Sequence, residues 1–159
     1  MSQEFTSYVG TVHSSISGST NEYLATSISL NFESDRVALS TSNVSNYTGR
    51  VEIHDYTAGY WVKNFTLSGP DGTNSSFGHE ISLNWSGTRL AVSAYQKNKV
   101  YIYDATGSGS NKWSSYVSNT LNTSSLSLVK YFEKSKYDDS IAVVSFTLEI
   151  FIINSLVKG

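Results

Sequence analysis

The chain has 159 residues, enough for one domain with a proper core and too few for two. Charged residues make up only 15%, the formal net charge is −2, and no run concentrates Lys and Arg on one segment, which argues against nucleic acid as a partner. No apolar stretch reaches the ~18 residues of a membrane helix, so no membrane insertion is expected, and the lack of cysteine removes disulfides and thiolate metal sites.

Ser, Thr and Asn together fill about a third of the chain. Their short polar side chains compete for backbone hydrogen bonds and favour strands, turns and loops over helix interiors. Eleven Tyr and seven Phe add strand propensity, and the class is read as all-β. The N-terminus, MSQEFTSYVG, has neither the basic start nor the apolar run of a signal peptide, so a virion or cytoplasmic location is favoured over an extracellular one.

Along the chain, strand-like segments alternate at period two between Gly, Asn, Asp and Ser turns. They begin with FTSYV at 5–9, then SISLNF at 27–32, RVALS at 36–40 and VEIHDY at 51–56. A second series reads WVKNF at 61–65, EISLNW at 80–85, RLAVS at 89–93 and VYIYDA at 100–105. Sliding residues 80–93 back by 53 positions aligns Ile81 with Ile28, Leu83 with Leu30, Trp85 with Phe32, Arg89 with Arg36 and Ser93 with Ser40. A worn third series follows: WSSYV at 113–117, SLSLV at 125–129, SIAVVS at 140–145 and LEIFI at 148–152. The unit therefore has four short strands, the first led by an aromatic residue. Three units run at about 5–57, 58–109 and 110–153 within a single domain, 1–159. Four antiparallel strands per unit at this spacing predict three propeller-like blades, a partial β-propeller; a β-sandwich is the alternative.

The stretch FGHEISLNWSGTRLAVSAY…KVYIYD resembles the FG-GAP repeats of integrin-type β-propellers, in the variety FGxSVSLSxDGxxLAVGAP…GxVYVY. Only the second unit keeps Phe77 and Gly78, and at the GAP position stand Ser40-Thr41-Ser42, Ser93-Ala94-Tyr95 and Ser145-Phe146-Thr147. The resemblance implies blades that present loops to protein partners or glycans. The family's calcium loop is not carried over, since NFESDR and NWSGTR hold too few carboxylates for a cation that takes six to eight oxygens.

Closed propellers have about four to eight blades, so three units leave both ends of the array open. Two copies closing a six-bladed ring, a cap supplied by another protein, and a self-contained stack of sheets are the three solutions. Residues 141–153, IAVVSFTLEIFII, form the most apolar segment, and Ile152 aligns with the Asp55 and Asp104 that end the matching strands. Ile141, Val143, Phe146, Leu148, Ile150, Phe151, Ile152 and Ile153 are accordingly the candidate interface, against the alternative of a central strand pair in the domain's own core.

Chemistry has little to work with. His13, His54 and His79 occupy non-equivalent places in the unit and form no zinc spacing. His54 beside Asp55 offers an orienting pair for a serine nucleophile, but no GxSxG elbow exists, and a strand-end residue facing solvent is the simpler reading. Asp138-Asp139 reads as a hairpin turn, and SGPDG at 68–72 and ATGSGSN at 105–111 as linkers between units. Trp61, Trp113 and Phe5, at equivalent positions, are expected to pack between blades. Tyr47, Tyr60, Tyr95 and Tyr116 fall in or near loops and are the candidate binding rim. Sequons at Asn43, Asn46, Asn64, Asn74, Asn84 and Asn122 are expected from composition alone. No catalytic residue, metal site or cofactor is expected, and the chain is read as no enzyme. The expected role is structural: an assembly or protein-binding module with a protein partner or self-association, such as a component of a viral capsid. The alternative is an extracellular adhesion or carbohydrate-binding module. A glycosidase on a propeller scaffold is a third reading and would need two carboxylates about 5–10 Å apart in a central pocket.

Overall fold

A computed structural model describes residues 14–19, 22, 24–105 and Trp113, and beyond Trp113 the backbones of 114–115, 121–122, 129–134, 141–145 and 150–153. The described chain is all-β. Its strands are β1 (Ile28–Leu30), β2 (Arg36–Thr41), β3 (Arg50–Thr57), β4 (Tyr60–Ser68), β5 (Phe77–Leu83), β6 (Arg89–Ala94), β7 (Lys99–Ala105), β8 (Trp113–Ser115), β9 (Leu121–Asn122), β10 (Val129–Lys134), β11 (Ile141–Ser145) and β12 (Ile150–Ile153). They form three antiparallel sheets in sequential order: β1-β2-β3-β4, β5-β6-β7-β8 with β9 also on β7, and β10-β11-β12.

The 53-residue repeat is a repeat of geometry. In the β1–β2 loop, Arg36 N donates to Asn31 Oδ1 at 3.0 Å, and in the β5–β6 loop Arg89 N donates to Asn84 Oδ1 at 2.8 Å. Each asparagine also pairs its own N–H with the carbonyl of that arginine. Ser34 and Gly87, at matching places, both turn the loop with a positive φ. The N–H groups of Ser27 and Glu80 donate to the hydroxyls of Ser40 and Ser93, again 53 residues apart. These side chains satisfy backbone groups that the short hairpins leave unpaired.

Strand grouping differs from the sequence units by one strand. The aromatic-led segment 61–65 lies in β4 and pairs with β3, before it in sequence, and Trp113–Ser115 pairs with β7 in the same way. Each sheet therefore ends with the aromatic-led strand, whereas the alignment placed that strand at the start of the next unit. An alternating strand fits either neighbour, and a two-residue turn at Ala58-Gly59, with both φ positive, favours the nearer one. Residues 5–9 lie outside the described residues. In the third sheet the described β10 runs Val129–Lys134, residues 125–128 of the aligned 125–129 lie outside the described residues, and Ile141 faces Ile153 while Ala142 faces Ile152.

The first and second sheets pack face to face. Ala38, Val51, Ile53 and Leu67 from one face of the first meet Phe77, Ile81, Leu83, Leu90, Val92, Ala94, Tyr101, Tyr103 and Trp113 from one face of the second. Phe77 is fully buried, its ring edge-on to Tyr103 and tilted on Tyr101. Gly78, at φ +83°, lets the strand bulge beside it and come so close that a Cβ would sit 2.9 Å from Ser40 Cβ. The inner strands also join directly: Ser29 Oγ accepts from Leu83 N at 2.9 Å and Ser27 Oγ from Ile81 N at 3.3 Å. Ser82, Ala91, Ser93, Val100 and Ile102, on the other face of the second sheet, are buried too, and β10 lies beside β5.

The linker between the two sheets is pinned by Asp71, which accepts from Lys99 Nζ and from the Tyr101 hydroxyl. Burial opposes the charged carboxylate, but those two hydrogen bonds outweigh it and hold the pKa of Asp71 below its ordinary 3.8. Burial, reinforced by Asp71, pushes the Tyr101 hydroxyl well above its usual range.

Two outcomes are expected. Gly49 has φ +77°, and a Cβ there would lie 2.0 Å from Phe77 O, whereas Gly72, at φ +71°, faces open space. In urea unfolding, Gly72→Ala should cost about 1–2 kcal/mol, the left-handed penalty alone, and Gly49→Ala more than about 3 kcal/mol because the sheets must part. A carboxylate with a lowered folded pKa stabilises the fold above its unfolded pKa and ceases to do so as pH falls through the folded value. Asp71→Asn should therefore cost about 1–2 kcal/mol at pH 7, and the gap from the unsubstituted protein should narrow progressively as the same unfolding curves are taken at pH values falling below 3.8.

Candidate functional site

The most distinctive surface is the outer face of the first sheet. Strand alternation places Ile28, Leu30, Val37, Leu39, Glu52, His54 and Trp61 on it. It corresponds, position for position, to the face of the second sheet that docks on the first: Ile28 and Leu30 match Ile81 and Leu83, and Trp61 matches Trp113. Burial separates the two sets. Ile81 and Leu83 are 5% and 0% exposed, while Ile28 and Leu30 are 57% and 38% exposed. Every large exposed hydrophobic among the described residues falls between Ile28 and Val62, in the first sheet and its loops.

The described residues between 14 and 25 lie against this face, with Ser14 Oγ accepting from Trp61 N on the edge strand β4; Val37 and Leu39 of β2 are buried, while Ile28 and Leu30 of β1 stay exposed. Beneath the covering residues lies an open cavity of about 470 Å³, lined by Ile16, Leu24, Val37, Leu39 and Trp61 and reaching to Ile28 and Leu30.

Beside the cavity the apolar pattern breaks. Where the second sheet has Tyr101 and Tyr103, the first has Glu52 and His54, both buried. Glu52 Oε2 lies 3.2 Å from His54 Nε2, and Oε1 lies 3.2 Å from Arg50 Nε and 3.6 Å from Lys63 Nζ. Arg50 forms a second, two-pronged pair with Glu22, at 2.6 and 3.0 Å. Hydrogen bonding to Glu22 raises the pKa of Arg50, and the same bond lowers that of Glu22. The alignment of VEIHD with VYIYD already placed Glu and His opposite two tyrosines; the signal was the substitution at core-facing positions.

The other sequence candidates fall as follows. His54 is buried, not solvent-facing, and as a neighbour of Asp55 on one strand it points to the opposite face; Asp55 instead clasps Arg36 at 2.6 and 2.8 Å. They form no orienting pair. Trp113 packs between the sheets with Arg36 above its ring, but Trp61 lies on the outer face against Tyr56. The tyrosine rim divides: Tyr47 and Tyr95 stand at one end of the sheets and Tyr60 at the other, and Tyr95 stacks on His79. Asn84 is buried and cannot carry a glycan. Ile141 and Val143 lie in β11, and Ile150, Phe151, Ile152 and Ile153 make up β12. Tyr116, Phe146, Leu148, His13 and Asp138-Asp139 lie outside the described residues. At the Tyr60 end, Phe32 and Trp85, equivalent in the repeat, stack on each other with centroids 3.6 Å apart. Among the described residues no group of three His, Cys, Asp or Glu is placed to hold a metal.

No protein-family model and no curated protein matches this chain. Among solved structures, a protein from Lactobacillus plantarum, a target of the Northeast Structural Genomics Consortium, is similar in fold, with a TM-score of 0.54 and 14% sequence identity. The match covers 80% of this chain and 36% of the other, so the shared arrangement spans about a third of the neighbour's length.

Equivalent positions should respond unequally to truncation. In dilute protein, Leu83→Ala should cost about 3–5 kcal/mol, as for a fully buried leucine, and Leu30→Ala less than about 1 kcal/mol, by chemical denaturation.

Proposed function

We propose that the protein is a non-catalytic assembly module. Its three sheets are propeller-like blades stacked with a single polarity, and the exposed β1 side of the first sheet's outer face, at Ile28 and Leu30, receives the last sheet of a second copy. The observation that carries this reading is the contrast between Ile28 and Leu30, exposed, and their equivalents Ile81 and Leu83, buried by the preceding sheet. The stack has a direction: the first sheet offers one face to the opposite face of the second, and β10 follows β5 as β5 follows β1. Among the described residues, no sheet lies against that surface of the first. Apolar area of this kind on a small domain marks an interaction site.

A head-to-tail contact between copies buries the same type of face that already holds the first two sheets together, and closes into a ring if the rotation per sheet allows it. Two copies supply six blades, within the range of closed propellers. The resemblance of Phe77-Gly78 and its flanks to FG-GAP repeats supports the same architecture, since Phe77 and Gly78 stand at the joint between sheets.

The test is solution mass by light scattering behind a sizing column. The unsubstituted chain should run as a dimer, twice 17.5 kDa, and Ile28→Lys should shift it to the monomer with little change in the melting of the isolated chain. A monomer at tens of micromolar for the unsubstituted chain would overturn self-assembly.

A further inference from the structure

We propose that Leu24 is the anchor of the docking surface on the first sheet: it stands where Phe77 stands in the internal joint, and the sheet of a second copy packs on it. The inference rests on the assembly reading above and deepens it, because it makes the residues that cover the first sheet part of the interface. Phe77 lies 53 residues after Leu24, the offset that relates the two hairpins, although the matched letters begin only at Ser27. Three features of the structure support the equivalence.

The first is the backbone. Gly78 follows Phe77 with φ +83°, and Ala25 follows Leu24 with φ +70°. The left-handed conformation is free for glycine and strained for alanine, and such strain persists where the surrounding structure demands it. The second is close packing by a glycine. A Cβ on Gly69 would lie 2.9 Å from Phe77 Cβ, and a Cβ on Gly18 would lie 2.8 Å from Leu24 Cβ. Each anchor is pressed by a glycine of the segment that leads to it. The third is an ionic tie. Asp71 holds Lys99, the first residue of β7, and Glu22 holds Arg50, the first residue of β3. Lys99 stands opposite Ala94 as Arg50 stands opposite Thr41, and those two partners are again 53 residues apart. The acids sit at different places in their segments, but the tie recurs. The described residues between 14 and 25 thus do for the first sheet what the linker ahead of β5 does for the second.

What differs is the layer beyond. Phe77 is fully buried because Val51, Ile53 and Leu67 of the preceding sheet close over it. Leu24 is only half-buried and lines the cavity of about 470 Å³ together with Val37, Leu39 and Trp61. Those three correspond to Leu90, Val92 and Trp113, all buried in the internal joint. A half-buried anchor beside a cavity marks the side on which no preceding sheet lies among the described residues. The internal joint also identifies the occupant: what packs on such an anchor in this structure is a sheet of this same chain, and a second copy brings one. A large apolar side chain at the centre of such a contact carries a disproportionate share of its energy.

The test is the association constant of the full chain, read by light scattering over a dilution series, with the melting of the dilute chain confirming that each variant is folded. Leu24→Ala should weaken association about tenfold or more. Leu24→Phe, which restores the residue of the internal joint and has the cavity to fill, should leave it at least as tight. Glu22→Gln loosens the tie to Arg50 and should weaken association about threefold. Tighter association with Glu22→Gln would make the covering residues a lid that docking displaces, and would overturn the anchor. So would a Leu24→Ala chain that associates as the unsubstituted chain does while Ile28→Lys abolishes association; docking on β1 then stands without Leu24. A monomer at tens of micromolar in every form, Leu24→Phe included, overturns both readings.

Discussion

The joint around Phe77 is the contact on which the rest of the structure depends. Apart from the Ser27 and Ser29 hydroxyls at the inner strands, the first two sheets meet on apolar faces, and each would be left with that face bare if they separated. Phe77 fills the seam, with Tyr101 and Tyr103 on one side and Val51, Ile53 and Leu67 on the other. The backbone is shaped to admit it: Gly49 and Gly69 give space to Phe77 where any Cβ would collide, and Gly78 folds the chain away immediately after. Burying an aromatic or aliphatic side chain of this size contributes about 1.5–3 kcal/mol. A seam of more than ten such residues is therefore the main term holding the sheets together.

Ionic contacts then fix register along the sheets. Arg36 with Asp55 and Arg89 with Asp104 are two-pronged pairs between directly opposed residues, each joining the start of the second strand to the third. A one-residue slip would break the fork and turn the apolar set to the wrong face. Arg36 does more, donating to Gly87 O at 2.9 Å and lying over the Trp113 ring, so one guanidinium ties its own strand pair to the neighbouring sheet. Hydrogen bonding to Asp55 outweighs the cost of burial and raises its pKa. In the third sheet Ile141 stands opposite Ile153.

Much of this was legible in the sequence, and the parts that were not share a cause. The 53-residue offset located the hairpins, the matched arginines and the equivalence of Phe32 with Trp85, and the downstream match of VEIHDY with VYIYDA located the aspartates, because each depends on local chemistry that recurs letter by letter. Which sheet an aromatic-led strand joins was not legible. Its alternation says that it is half-buried and nothing about which neighbour accepts its hydrogen bonds. The tyrosine rim failed for a related reason: antiparallel order sends successive loops to opposite ends, so Tyr60 parted from Tyr47 and Tyr95. His54 looked like a surface residue next to an aspartate, yet alternation sends the two to opposite faces, and described residues between 14 and 25 lie against the face that holds His54. The matched letters begin only at Ser27, so those covering residues left no mark in the alignment.

The departures from the repeat bear most directly on assembly. A stack of identical faces has no reason to stop: any first sheet would fit any last sheet, and head-to-tail contacts that do not close run on as filaments. Here the first sheet keeps the apolar positions Ile28, Leu30, Val37 and Leu39 but replaces the two tyrosines with Glu52 and His54 amid Arg50 and Lys63. Those buried ionic groups already have partners within the chain and gain nothing from a purely apolar surface, which would strip their remaining water. A sheet docking there must leave the polar corner alone or meet it with polar groups of its own. The covering residues, anchored by Glu22 on Arg50 and by Ser14 on β4, lie beside that corner and leave Ile28 and Leu30 of β1 exposed. In the assembly proposed above, the first face would be a narrowed version of the internal seam, apolar at β1 and polar at Glu52 and His54, and discrimination between one incoming sheet and another would follow from what that polar corner refuses.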